Sequence, residues 1–92
     1  MVSPSEGNVR HHFVEQRAAN AKRFGTERIH SAKNILGVPR EVNQAIANYY
    51  SMKRPFTNQK TVRQWLAPKS WRKQYGFGQD ILEKVLSGAP LP

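Results

Sequence analysis

Apolar residues recur along this chain at two spacings. The run V-R-H-H-F-V at residues 9–14 is short and compatible with a β-strand, and it carries two histidines in its middle. Residues 15–24, E-Q-R-A-A-N-A-K-R-F, are rich in helix formers and stop at Gly25. Beyond a polar turn, Asn34-Ile35-Leu36-Gly37-Val38 predicts a second short strand. From Pro39 the period changes: Val42, Ala45, Ile46, Tyr49 and Tyr50 recur at helical spacing. Pro39 suits a first helical turn, where its missing N–H costs nothing, and Glu41 favours the dipole there, so a helix is predicted over 39–51. Residues 52–59 read as a loop with an Arg-Pro step. Thr61 to Ala67 predicts a short helix with Val62, Trp65 and Leu66 on one side, ended by Pro68. Ser70 is a candidate N-cap for a last helix over 71–86, whose apolar side is Trp71, Tyr75, Ile81, Leu82, Val85 and Leu86. Gly76 and Gly78 fall in its middle and predict a kink or break.

Residues 1–8 are small, polar and turn-prone, and read as a linker or frayed end. The layout predicts one small α+β domain over residues 9–88. Its core is a two-stranded β-ribbon plus a helix over about 9–51, with additional packing helices over about 60–86.

With 92 residues there is room for one small domain and none for a dinucleotide-binding fold with a substrate domain. No cysteine is present, which excludes disulfides, thiolate zinc sites and cysteine nucleophiles. No apolar run approaches the about 20 residues of a membrane span, and the N-terminus has no signal-peptide pattern. Fifteen Lys and Arg stand against six Asp and Glu, a net charge of +9. That excess points to a polyanion, nucleic acid first, because each neutralised phosphate releases a counterion. The basic residues are interleaved with aromatics, a composition suited to phosphate contact plus base stacking. Arg17 and Arg28 flank the loop between the predicted strands, and Lys53 and Arg54 sit in the loop after the helix. These four are the candidate phosphate contacts. Lys69, Arg72 and Lys73 lie beside Trp71, and both tryptophans are expected in the core.

Candidate chemistry centres on His11 and His12. Adjacent side chains of a strand point to opposite faces, so one imidazole can hold a metal while the other serves as a base. Arg10 abuts the pair and can hold a phosphate oxygen. His30, in the turn R-I-H-S, is an ordinary loop histidine or a further metal or substrate contact. Glu15 is a candidate partner behind one of the histidines or a helix-start charge. No carboxylate pair at acid–base spacing, Gly-rich phosphate loop or Ser-His-Asp pattern is present.

A His-His pair on a first strand, an Asn opening a second strand and a helix position nine residues beyond that Asn form a recognisable set. Over roughly residues 9–51 the sequence resembles the HNH (ββα-metal, His-Me finger) nucleases. The closest likeness is to the colicin-type DNases and the C-terminal HNH toxin domains of Rhs and contact-dependent-inhibition proteins. The resemblance implies a metal-dependent endonuclease with His11 as metal ligand and His12 as general base. It implies that Asn34 holds the ribbon, and that position 43 supplies a second ligand. That position holds Asn43 where the family carries His, and the position one turn later is Ala47. An amide oxygen suits magnesium better than zinc-like ions. With Asn43 in that position the resemblance implies a divalent ion, among magnesium, manganese, nickel and zinc, at a site that is weakened or inactivated or is built for a harder ion such as magnesium. The resemblance further implies a monomeric toxin tip that a bacterial secretion system delivers as part of a larger protein. It would cut nucleic acid, DNA before RNA, in the target-cell cytoplasm, with a cognate acidic immunity protein and no membrane partner. The alternatives are a non-catalytic basic nucleic-acid-binding module and a toxin tip that cuts RNA without metal.

Overall fold

The computed structural model describes residues 7–92. Along the chain run β1 (Asn8–His12), α1 (Ala18–Phe24) and α2 (Thr26–Ile29). A single 3-10 turn at Ala32–Asn34 leads into β2 (Ile35–Pro39), and α3 (Arg40–Tyr50) follows without a linker. A second 3-10 turn at Pro55–Thr57, α4 (Val62–Leu66) and α5 (Trp71–Ser87) complete the described chain. The architecture is α+β, as the hydrophobic pattern predicts: a two-stranded antiparallel ribbon with helices packed on it.

The register runs from Asn8 opposite Pro39 to His12 opposite Ile35. Period-two alternation buries His11 of β1 and Val38 of β2. A two-stranded ribbon is marginal alone. Here α3 lies against both strands and α5 lies against α3. Val38, Ile46, Tyr49, Tyr50, Val62, Leu66, Ile81 and Leu82 form one buried core with Phe13. The starts of α4 and α5 are capped locally: Ser70 Oγ accepts from the Lys73 N–H, and Thr61 forms a reciprocal capping box with Gln64.

Five expectations are corrected. Of residues 1–8, Asn8 belongs to β1 and the Gly7 carbonyl accepts from the Arg40 N–H, so these two are held by pairing. The first six residues lie outside the described part. The helix predicted from residue 15 starts only at Ala18, because the three residues before it are spent on turning the chain off the ribbon, and Glu15 is held elsewhere. The polar turn after Gly25 contains α2, whose one buried residue, Ile29, anchors it to the interior. Finally, α5 is unbroken. Trp71 is not part of the core; it packs on Phe24 and on Tyr75, which itself lies against the core. Trp65 does pack against the core.

Gly78 explains the unbroken helix. A Cβ placed there would lie 2.5 Å from the carbonyl oxygen of Phe13, so glycine lets α5 press directly on the backbone leaving β1. The residue reads as a helix weakness in sequence and serves as a packing device in three dimensions. Gly78→Ala is expected to destabilise the fold by about 1–3 kcal/mol, because one backbone must retreat from the other. A lower urea midpoint at unchanged m-value is the signature. An unaltered midpoint would mean that α5 slides without cost.

Candidate functional site

The site sits at the end of the ribbon where β1 runs into the loop. Asn34 makes it possible. Its side chain is fully buried; Oδ1 accepts from the Val14 N–H at 2.9 Å. Nδ2 donates to the Val14 carbonyl at 3.0 Å and to the Ile29 carbonyl at 2.8 Å. The Asn34 carbonyl accepts from the Phe13 N–H at 3.0 Å. One amide thus ties together the exit of β1, the end of α2 and the entry to β2. Asn34 does not line the cleft; it clamps the chain segments that present the histidines.

That cleft has a volume of about 360 Å³. Its polar wall is Arg10, His11, His12, Glu15, Arg17 and Asn43, and Ile46, Ala47 and Tyr50 supply apolar surface. His11 is buried, with 6% of its surface exposed, and its Nδ1 lies 3.1 Å from Asn43 Oδ1. Nε2 of the same ring is buried with no hydrogen-bond partner among the described residues. His12 is half-buried, and its Nε2 lies 3.3 Å from Nδ1 of His30. Glu15 faces Arg63 of α4 in a two-point ion pair at 2.8 and 3.0 Å, and Arg63 also donates to Ser51 Oγ. With Glu15 neutralised in this way, Arg10 and Arg17 make the cleft electropositive.

The imidazoles respond to this setting. Burial, first, holds His11 below the ordinary histidine range, against the raising effects of Asn43 and Glu15. His12 is lowered first by burial and then by repulsion between its charged form and His30, His11 and Arg10, which favours its neutral form near pH 7. Both groups titrate near 6.5 when unfolded. Below that pH the unfolded chain binds more protons than the native one. The stability they contribute is complete above pH 6.5 and is lost as pH falls from there through the lower native values. Urea denaturation in chelator, stepped downward from neutral pH, should show the midpoint falling across that window. A constant midpoint would show that the rings are hydrated in the native state.

His11 Nδ1 and Asn43 Oδ1 lie 3.1 Å apart in a hydrogen bond that the ring N–H donates to the amide oxygen, so an ion held by both would take the place of that proton. One imidazole nitrogen and one amide oxygen fit a hard divalent ion that keeps water in its other positions. They do not furnish the three protein donors of a catalytic zinc site. Among the described residues no three His, Cys, Asp or Glu side chains converge as a metal-holding group.

The structure brings together Arg10, His11, His12, Arg17 and Asn43 in one cleft, with Asn34 behind them. Lys53 is exposed but does not line the cleft. Arg54 is drawn away, its Nε donating to the Pro92 carbonyl at 2.7 Å. Arg28 lies with its guanidinium 4.2 Å from the centre of the Trp71 ring, and Arg23 stacks similarly on Phe24 at 4.8 Å. Sequence reasoning did not find the Glu15–Arg63 pair, 48 residues apart, nor the contact between His12 and His30. No local pattern carries either, since both depend on where the chain returns.

Among the described residues no helix is long and apolar enough to cross a membrane. Comparison of the chain with protein-family models, with curated proteins and with solved structures finds no match.

Proposed function

We propose that this chain is a metal-dependent endonuclease domain of the HNH type, the toxic tip of a larger bacterial protein that cuts DNA in a competing cell. The observation that carries this reading is the convergence of His11, His12 and Asn43 in one electropositive cleft, on a ribbon that Asn34 clamps. The ββα order and the nine-residue step from Asn34 to Asn43 support it.

His11 and Asn43 would hold a hard divalent ion, magnesium or manganese before nickel or zinc. When bound, such an ion polarises the scissile phosphate and stabilises the leaving oxygen. The rest of the work falls to side chains. His12, neutral at physiological pH, accepts the proton of the attacking water. Arg10 and Arg17 draw the phosphodiester into the cleft and hold its oxygens, with no ion-pair partner of their own competing among the described residues. The excess positive charge of the chain favours an acidic immunity partner, because complementary fields accelerate encounter.

The test is plasmid nicking by the chain as it stands, with magnesium, manganese, nickel or zinc, and with chelator. Cleavage in magnesium or manganese that chelator abolishes is expected. Asn43→Ala should lose at least the roughly 10–100-fold that even an outer contact to a metal site is worth, and should need more metal. Activity untouched by both chelator and Asn43→Ala would end the metal reading. The competing reading is a basic binding module without turnover. It is favoured by the stacked Arg23, Phe24, Arg28 and Trp71 cluster outside the cleft, and it predicts salt-sensitive DNA binding with no cleavage by any variant.

A further inference from the structure

His30 caps the C-terminal end of α2, is exposed, and does not line the cleft. It nevertheless reaches the ring of His12 from outside: Nδ1 of His30 lies 3.3 Å from Nε2 of His12, and the two rings meet edge-on at 82°. Nothing else among the described residues hydrogen-bonds the His12 side chain. The contact joins residues 18 positions apart across the segment that holds α1 and α2, and Asn34 keeps that segment closed by binding both the Ile29 carbonyl, beside His30, and the chain just past His12.

Two neutral imidazoles sharing one such contact must divide the roles of donor and acceptor, and the division decides which nitrogen of each ring is basic. If Nε2 of His12 carries the proton, its Nδ1 keeps a free lone pair. If Nε2 is instead the acceptor, the lone pair is already used on His30 and the ring has no base left for water. A base facing the cleft therefore requires the first arrangement.

We propose that His30 is the positioning residue for His12: its Nδ1 accepts the His12 Nε2–H, holding the ring in one tautomer and one orientation with Nδ1 as the free basic nitrogen. The catalytic half of this inference rests on the nuclease reading above, while the tautomer half does not. His30 touches neither substrate nor metal. It acts through His12 alone, and its exposure means that removing it takes nothing from the core.

The experiment is nitrogen-15 NMR of the histidine rings in the full chain, without metal, at a pH well above the ordinary histidine range. His30→Ala and His30→Asn are compared with wild type. Asn places an amide oxygen close to where Nδ1 stood, so it is the conservative replacement. Wild type and His30→Asn should show His12 as the Nε2–H tautomer alone, while His30→Ala should show a mixture of both tautomers. In the cleavage assay His30→Ala should lower kcat about tenfold with KM unchanged, the value of one hydrogen bond, and His30→Asn should restore most of it. Identical His12 spectra in wild type and His30→Ala would overturn the proposal, as would an Nδ1–H tautomer in wild type. The spectra remain decisive even if no variant cuts DNA, so failure of the nuclease reading and failure of the His30 assignment are told apart.

Discussion

On the nuclease reading proposed above, His12→Ala is expected to lower DNA cleavage by about 10²–10⁴-fold, the usual worth of a positioned general base. His12 is the imidazole that is both neutral near pH 7 and partly open to the cleft. His11 is buried against Asn43 and has no comparable access to water. Loss of the His12 ring should leave metal affinity close to that of wild type, because the donor pair His11 and Asn43 is intact. It should also leave the urea midpoint nearly unchanged, since the ring is half-buried and contacts chiefly His30. His11→Ala should behave differently, weakening metal binding and activity together. The comparison needs three readouts on each variant: plasmid nicking, manganese affinity and denaturation. If His12→Ala cuts as wild type does, the base lies elsewhere and the site reading collapses. If it loses activity only in step with stability, the ring is a packing element.

Asn34→Ala should produce the largest loss of stability of any single polar substitution in the chain. The side chain is fully buried and makes three hydrogen bonds to backbone groups. Truncation leaves the Val14 N–H and the Val14 and Ile29 carbonyls without partners. A stranded buried group costs about 1–3 kcal/mol, so a total of about 3 kcal/mol or more is expected. Small domains hold only about 5–15 kcal/mol in all, so this is a substantial share. Asn34→Asp should be nearly as damaging above the carboxylate range. It keeps the acceptor for Val14 but removes both donors and buries a charge. The measurement is urea denaturation of both variants, with nicking assayed where they remain folded. A loss under about 1 kcal/mol would mean that water replaces the amide, and the clamp would not be what holds the site together.

How far the site was legible can be argued residue by residue. Strand alternation was enough to nominate His11 and His12 as a pair, whereas Asn34 and Asn43, up to 32 positions away, were joined to them only by the resemblance to the HNH nucleases. Strand alternation and helical period are local rules. The same rules placed α3, α4 and α5 within a residue or so at each end, because their apolar periods and caps are written in consecutive residues. They failed at Gly78, where a poor helix former is required by the backbone of Phe13 across the fold. Lys53, Arg54 and Arg28 were chosen as phosphate contacts because loops expose charge. Exposure does not say which way a surface faces, and Arg54 and Arg28 are held by Pro92 and Trp71.

The sequence by itself determined the α+β class, the net positive charge, and the residue types able to do chemistry. Each of these depends on composition or on neighbours within a few positions. Only the tertiary structure decided that Glu15 is neutralised by Arg63, that Arg17 rather than Lys53 shares the cleft with Arg10, and that His30 rests on His12. These are contacts between side chains brought together by the closing of loops. Their energies depend on distances of a few ångströms that no periodicity along the chain encodes.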